Sequence, residues 1–201
     1  MTLLPLFPLN VVLFPDTPLP LHIFEPRYKE MIGECRTNDT RFGVIRALDG
    51  SLAEVGCMAE IVAVVKEYPD GRLDLVAEGR HRFEVIELNH ERAFLQAEIS
   101  LVNNEPGSPA PAERSRMIEL HAEILSLAGG VQDLSSADQA TLSFHIAGTL
   151  PFDLDFKQRL LEMRSEADRI HAIAGYLEKI FPSLRRNLRT REKASGNGHA
   201  H

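Results

Sequence analysis

A chain of 201 residues can bury a sizeable core, as one compact domain or as two subdomains. Its 44% hydrophobic and 25% charged residues are close to the averages of soluble globular proteins, which favours neither a disordered nor a membrane class for the chain as a whole. The net charge of -7 is uneven, because residues 183–201 hold Arg185, Arg186, Arg189, Arg191 and Lys193 against Glu192, a net of +4 that leaves -11 on the rest. An acidic body repels phosphate backbones, so nucleic acid is not an expected partner, and the basic stretch 183–201 reads as a disordered, solvated tail.

The chain opens with two extended segments, Leu3 to Phe14 and Pro18 to Phe24. Their prolines cannot donate ladder hydrogen bonds, which predicts an edge position or a bulge for both strands. The prolines, and the lack of Lys or Arg before Arg27, are unlike a secretory signal. No stretch approaches the ~20 apolar residues of a membrane-spanning helix. Cys35 and Cys57 have neither disulfide-framework nor metal-site spacing and read as small buried apolar residues, so the expected compartment is the cytoplasm.

Between Phe24 and Cys35 the period changes. Pro26 suits a first helical position, and Tyr28, Met31, Ile32 and Cys35 recur at helical spacing. Five short runs follow, at Phe42–Ala47, Ala59–Tyr68, Leu73–Ala77, Phe83–Leu88 and Phe94–Val102, spaced like sequential antiparallel strands. Pro69-Asp70-Gly71 predicts a tight turn, since proline presets one φ and glycine accepts a positive one. Residues 104–112 concentrate turn formers and read as a linker between a β-rich part, 1–103, and a helical part, 113–182. In the latter, Met117, Ile118, Leu120, Ile124, Leu125 and Leu127 form a stripe stopped by Gly129-Gly130. Ser136 with Gln139 and Ser165 with Asp168 read as capping pairs, the first before Leu142 to Ile146. Phe156, Leu160, Leu161 and Met163 mark another helix, and Ile170, Ile173, Leu177 and Ile180 a last one ended by Pro182.

No reaction is named by the residues. None of Lys29, Lys66, Lys157, Lys179 and Lys193 follows a glycine-bounded phosphate loop, and the histidines form no H-E-x-x-H pair, so no ATPase, metal site or cofactor is expected. No serine sits in a G-x-S-x-G elbow. The pairs Glu25 with Glu30 and Asp153 with Asp155 read as helix-start and surface carboxylates.

Two proline-punctuated segments, Leu4-Pro5-Leu6-Phe7-Pro8-Leu9-Asn10-Val11-Val12-Leu13-Phe14-Pro15 and Pro18-Leu19-Pro20-Leu21-His22-Ile23-Phe24-Glu25-Pro26-Arg27-Tyr28, carry a recognisable pattern. Gly43 after Phe42, Gly56-Cys57, the Pro69–Arg72 turn, Gly79 with Arg82-Phe83, and Lys157 to Glu162 follow in order. Together they resemble the N-terminal, substrate-recognition domain of Lon proteases, over about residues 2–181. The resemblance implies an α+β fold: a β-rich, PUA-like pseudo-barrel with one short helix, then a C-terminal helical bundle. The 201 residues show no ATPase or peptidase module, so it implies binding rather than proteolysis. The implied partners are unfolded or partner polypeptides, with a separate ATPase or protease as a further candidate.

Within that pattern the glycines suit tight turns or close strand approach, and the Arg82 guanidinium can cap buried carbonyls. The candidate contact residues are His22, Phe24, Glu25, Arg27 and Tyr28, where an extended edge meets a helix start and two aromatics adjoin acid and base. Tyr28 also opens the helix stripe and is equally a core candidate. A small-ligand or RNA binder on the barrel and an undetected hydrolase are the alternatives.

Overall fold

The computed structural model describes residues 3–48, 50–127, 129, 130, 134, 138 and 140–179. Among them the strands are β1 (Leu4–Leu9), β2 (Pro18–Ile23), β3 (Phe42–Leu48), β4 (Ser51–Leu52), β5 (Val55–Glu67), β6 (Leu73–Asn89) and β7 (Gln96–Leu101). The helices are α1 (Pro26–Asn38), α2 (Pro111–Leu127), α3 (Leu142–Thr149), α4 (Leu154–Glu162) and α5 (166–179), so the class is α+β as expected. The chain divides into two compact units. One takes the residues up to Glu105 together with Phe144–Arg164, and the other takes 106–143 with 165–179. This differs from the contiguous division expected, in which all of 113–182 was helical subdomain.

In the first unit the pairing β1–β7–β6–β5–β3 returns to β1, because β1 and β3 also pair, in parallel, from Leu6↔Gly43 to Leu9↔Arg46. That closure makes the pseudo-barrel. β1 and β3 are buried on both faces: Leu4, Leu6 and Ile45 join a core with Phe83, while Phe7, Phe42 and Val44 join a second core with α1. Burial on both faces explains why these strands read as continuous apolar runs without alternation.

Among the described residues β2 pairs with β6 alone and is the edge strand its prolines require. β1 departs from that expectation, for it lies inside the ring. Leu4 and Pro5 pair with β7 and Leu6 to Leu9 with β3, so each proline has a strand partner on one side and its missing N–H breaks no second ladder.

The two runs at Leu73–Ala77 and Phe83–Leu88 form a single strand, β6, which pairs with β2 at its start, with β5 from Leu73 to Glu84 and with β7 at its end. The polar stretch between them does not turn. Gly79 lies where the backbone of Phe14 passes, so close that an added Cβ would stand 2.1 Å from the Phe14 carbonyl oxygen. The Asp16 N–H donates to the Gly79 carbonyl at 2.9 Å, and the Gly79 N–H donates to the Thr17 carbonyl at 3.0 Å. A side chain there would part the two segments.

Residues 144–149 of α3 and all of α4 belong to this unit through specific contacts. The ring of Phe144 stacks on Phe14 at 5.5 Å, and the Gln158 amide donates to the Val55 carbonyl at 3.0 Å. Arg82, buried beside Phe83, donates from Nη1 to the carbonyls of Leu161 (2.6 Å) and Met163 (2.7 Å) and from Nη2 to Asn104 Oδ1. These are carbonyls at the C-terminal end of α4, where the helix itself offers no donors, so a strand guanidinium caps a helix as expected. At the other end Asp153 accepts from the Phe156 N–H, which makes it a helix cap.

Cys57 is fully buried, and that burial pushes its thiol up to about 12. Cys57 is therefore expected to resist a thiol reagent in the native protein at mildly alkaline pH and to react once urea exposes it. Native-state labelling of Cys57, located by peptide mapping, would show the assigned packing to be wrong.

In the second unit α2 ends as the glycine pair predicts: Gly129 has φ 78°, its N–H donates to Ser126 O, and the Gly130 N–H donates to Leu125 O. The Asp168 N–H donates to Ser165 Oγ at 3.2 Å, forming the cap read from the sequence, and Ile170, Ile173 and Leu177 of α5 are buried. One buried polar group had no sequence signal. Glu166 accepts from the Ser143 N–H (2.8 Å), the Ser143 hydroxyl (2.6 Å) and Arg169 Nη2 (2.6 Å), while Arg169 Nη2 also reaches Ala140 O. Ser143 is the second residue of α3, so the carboxylate satisfies a free N–H at a helix start. The Ser136–Gln139 capping pair, Ile180, Pro182 and the basic stretch 183–201 lie outside the described residues.

Candidate functional site

The segment His22 to Tyr28 joins β2 to α1, and the register His22↔Asp74 sets it beside the β5–β6 turn. That turn closes as the sequence dictates: Gly71 has φ 81°, its N–H donates to Tyr68 O, and the Tyr68 N–H donates to Arg72 O. The pairing therefore brings Tyr68 and Asp74 to His22.

Asp74 organises this cluster. Its Oδ1 lies 2.5 Å from His22 Nδ1, and its Oδ2 accepts from the Tyr68 hydroxyl at 2.8 Å. These two hydrogen bonds, His22's the larger influence, hold the Asp74 carboxyl below the usual carboxylate range. The His22 ring stacks on Phe24 at 5.9 Å and meets the Tyr68 ring edge-on at 6.1 Å. Lys66 Nζ stands 4.4 Å from the Tyr68 ring centre, and the Arg72 guanidinium 4.8 Å. Phe24 is 58% exposed, so an aromatic surface faces solvent with its polar supports already paired.

The five candidate residues do not share one fate. His22 and Phe24 are in the cluster, and Glu25 and Arg27 form an exposed ion pair with each other at 2.8 Å. Tyr28 is 7% exposed, its ring tilted against Phe7 at 4.2 Å, and belongs to the core beneath α1. Lys66, Tyr68, Arg72 and Asp74 were not foreseen as site residues. The turn signal at 69–71 was visible, but which strand it would approach was not.

A second surface feature lies along β5. β3 pairs with β5 at Cys57–Ala59, and beyond that, among the described residues, 60–67 have β6 on one side and no strand on the other. An open groove of about 960 Å³ follows the first part of this edge. Its walls are Glu60–Val64, the end of α1 with the turn after it from Glu34 to Arg41, and Leu3–Pro5 where β1 starts, with Gln96 and Ile99 of β7. Val62, Val64 and Val65 are 45%, 37% and 67% exposed.

Among the described residues no group of three or more His, Cys, Asp or Glu could hold a metal ion, and no helix is long and apolar enough to cross a membrane. The first unit is thus an α+β domain, a closed strand ring bearing an exposed aromatic cluster and an open, valine-rich sheet edge.

The chain belongs to the family of the ATP-dependent protease La (LON) substrate-binding domain, whose family model matches residues 3–179. It is similar to the crystal structure of a Lon N-terminal domain protein from Xanthomonas campestris, at 27% identity and a TM-score of 0.71, covering 88% of this chain and 99% of that one. The N-terminal domain of a Mycobacterium avium complex Lon protease shares the fold at 15% identity and a TM-score of 0.61, over 88% of this chain and 98% of that one. Among curated relatives, Lon protease 2 of Herpetosiphon aurantiacus is 24% identical over 88% of this chain, and the Lon protease of Flavobacterium johnsoniae 25% identical over 90%. The chain spans about a quarter of the length of these proteins, 24% and 23% respectively. Every one of these matches falls on the substrate-binding part, and none places a peptidase domain in these residues.

Proposed function

We propose that this chain is a non-catalytic polypeptide-recognition module of the cytoplasm, binding exposed apolar segments of unfolded or partner proteins and passing them to a separate ATPase or protease. The observation that carries the reading is Phe24, more than half exposed yet stacked on a His22 that Asp74 holds in place. A preorganised aromatic loses little side-chain entropy on binding, which is why such residues dominate recognition surfaces. The exposed Glu25–Arg27 pair forms a polar rim beside it. Membership of a substrate-binding family supports the same reading.

The test is affinity for a fluorescent, permanently unfolded polypeptide, measured beside the thermal midpoint. Phe24→Ser is expected to weaken binding by ~1–2 kcal/mol with the midpoint nearly unchanged, because an exposed ring contributes to an interface and not to the core. Tyr28→Ala is expected to lower both. If Phe24→Ser and Arg27→Ala bind like the parent, the contact surface is not here.

A further inference from the structure

The rest of the surface offers one feature whose geometry specifies its own ligand. Residues 60–67 of β5 have backbone donors and acceptors that β6 satisfies on one side alone. Eight residues of unpaired edge are an open template for another extended backbone, and proteins protect such edges with charge, proline or cover. Here the central run Ile61-Val62-Ala63-Val64-Val65 has neither charge nor proline. Its β-branched side chains are those that pack best on a pleated surface.

We propose that this edge takes up an extended, uncharged apolar segment of a client polypeptide as an added strand beside β5, with the groove toward Cys35–Arg41 receiving its side chains. The proposal rests on the polypeptide-recognition reading and states how such a client would be held.

Three observations select that occupant. Most of the charges on the rim are already paired, Arg41 with Glu60, Arg36 with Glu67, and Glu34 with Arg92, and the two outside these pairs, Asp39 and Lys66, are of opposite sign. A charged segment would therefore meet no free counter-charge from these pairs, whereas an apolar one meets three exposed valines. The ladder to β6 shifts register between Ile61 and Ala63 and again between Val64 and Lys66, so Val62 and Val65 are extra residues. Bulges twist an edge away from long, flat pairing, which disfavours the edge of a second copy and favours a short flexible segment. Finally, the edge runs directly into Tyr68, so a strand added here would continue onto the aromatic cluster.

The experiment uses the whole chain and two fluorescent octapeptides of alternating valine and serine, one with amide bonds and one with its central amides replaced by esters. The ester twin keeps the shape and apolarity but cannot donate backbone hydrogen bonds. Binding to the amide peptide is expected to weaken at least ~10-fold in Val62→Lys and Val65→Lys, with the thermal midpoint held, and the parent is expected to bind the ester twin comparably weakly. If a lysine variant folds poorly, the ester comparison still decides. Equal affinity for both peptides, or lysine variants that bind like the parent, overturns strand addition and leaves polypeptide recognition standing. A parent that binds neither peptide nor any denatured protein overturns both. Concentration-dependent dimers that Val65→Lys abolishes would assign the edge to a second copy and overturn the proposal as well.

Discussion

Replacing Phe83 with alanine is expected to lower the unfolding free energy by ~3–5 kcal/mol, because the ring is fully buried and the strands around it cannot close the hole. Its surroundings show why. The Cζ of Phe83 occupies the space that side chains on two neighbouring strands would need: a Cβ on Gly43 would stand 2.7 Å from it, and one on Gly56 2.6 Å. The ring closes over two glycines, and Leu4, Leu6, Ile45 and Ala97 complete the cluster. Gly43→Ala alone should also destabilise. At Gly43 every near atom belongs to a side chain, whereas at Gly56 the Val44 carbonyl oxygen is equally close. In the Phe83→Ala background Gly43→Ala should therefore cost less, a coupling of ~1 kcal/mol or more, because the Cδ2 atoms of Leu4 and Leu6, each 2.8 Å from that Cβ, can shift into the vacated space, while Gly56→Ala should still be costly. Urea unfolding of the four proteins of the Gly43–Phe83 cycle measures this. Simple additivity would mean that the ring and Gly43 do not share a space.

The second large effect is expected at the Ser143–Glu166–Arg169 group. Arg169 is 0% and Glu166 1% exposed, and burial outweighs the Glu166 contact in pulling the Arg169 guanidinium below its ordinary value. Removing one partner strands the other charge without water, so Arg169→Ala and Glu166→Ala should each cost ~3–5 kcal/mol. Replacing both by apolar residues of similar volume, Glu166→Leu with Arg169→Met, should recover much of that loss. What remains should reflect the α3 N–H of Ser143, which would lose its acceptor. Urea midpoints of the two single variants and the double variant decide it. Single losses within ~0.5 kcal/mol of the parent would place the pair in contact with water.

The candidate site was legible to the extent that it is local. The stretch from His22 to Tyr28 could be singled out because an extended segment meets a helix start there, but neighbouring positions in one chain face different ways. Phe24 points to solvent and Tyr28 into the core because Phe24 lies before α1, which starts at Pro26, and so is not on the stripe that Tyr28 opens. Tyr68 and Asp74 lie far from His22 in sequence and reach it through the β2–β6 register, which no spacing along the chain encodes.

The sequence by itself determined the elements whose signals are short-ranged: the α1 stripe of Tyr28, Met31, Ile32 and Cys35, the turn at Pro69–Gly71, the stop at Gly129 and the Ser165 cap. Each depends on φ preferences or hydrogen bonds within about four residues, so the local chain suffices. Only the tertiary structure decided that Leu73 to Asn89 is one strand, that β1 lies inside the ring despite Pro5 and Pro8, that α3 and α4 join the strands, and that the edge of β5 is open. Those outcomes depend on which backbone comes to lie beside which. Phe14 crosses at Gly79, Arg82 holds the end of α4, and β3 leaves β5 after Ala59. Such long-range pairings are selected by the combined burial of many side chains, and no window of neighbouring residues contains that sum.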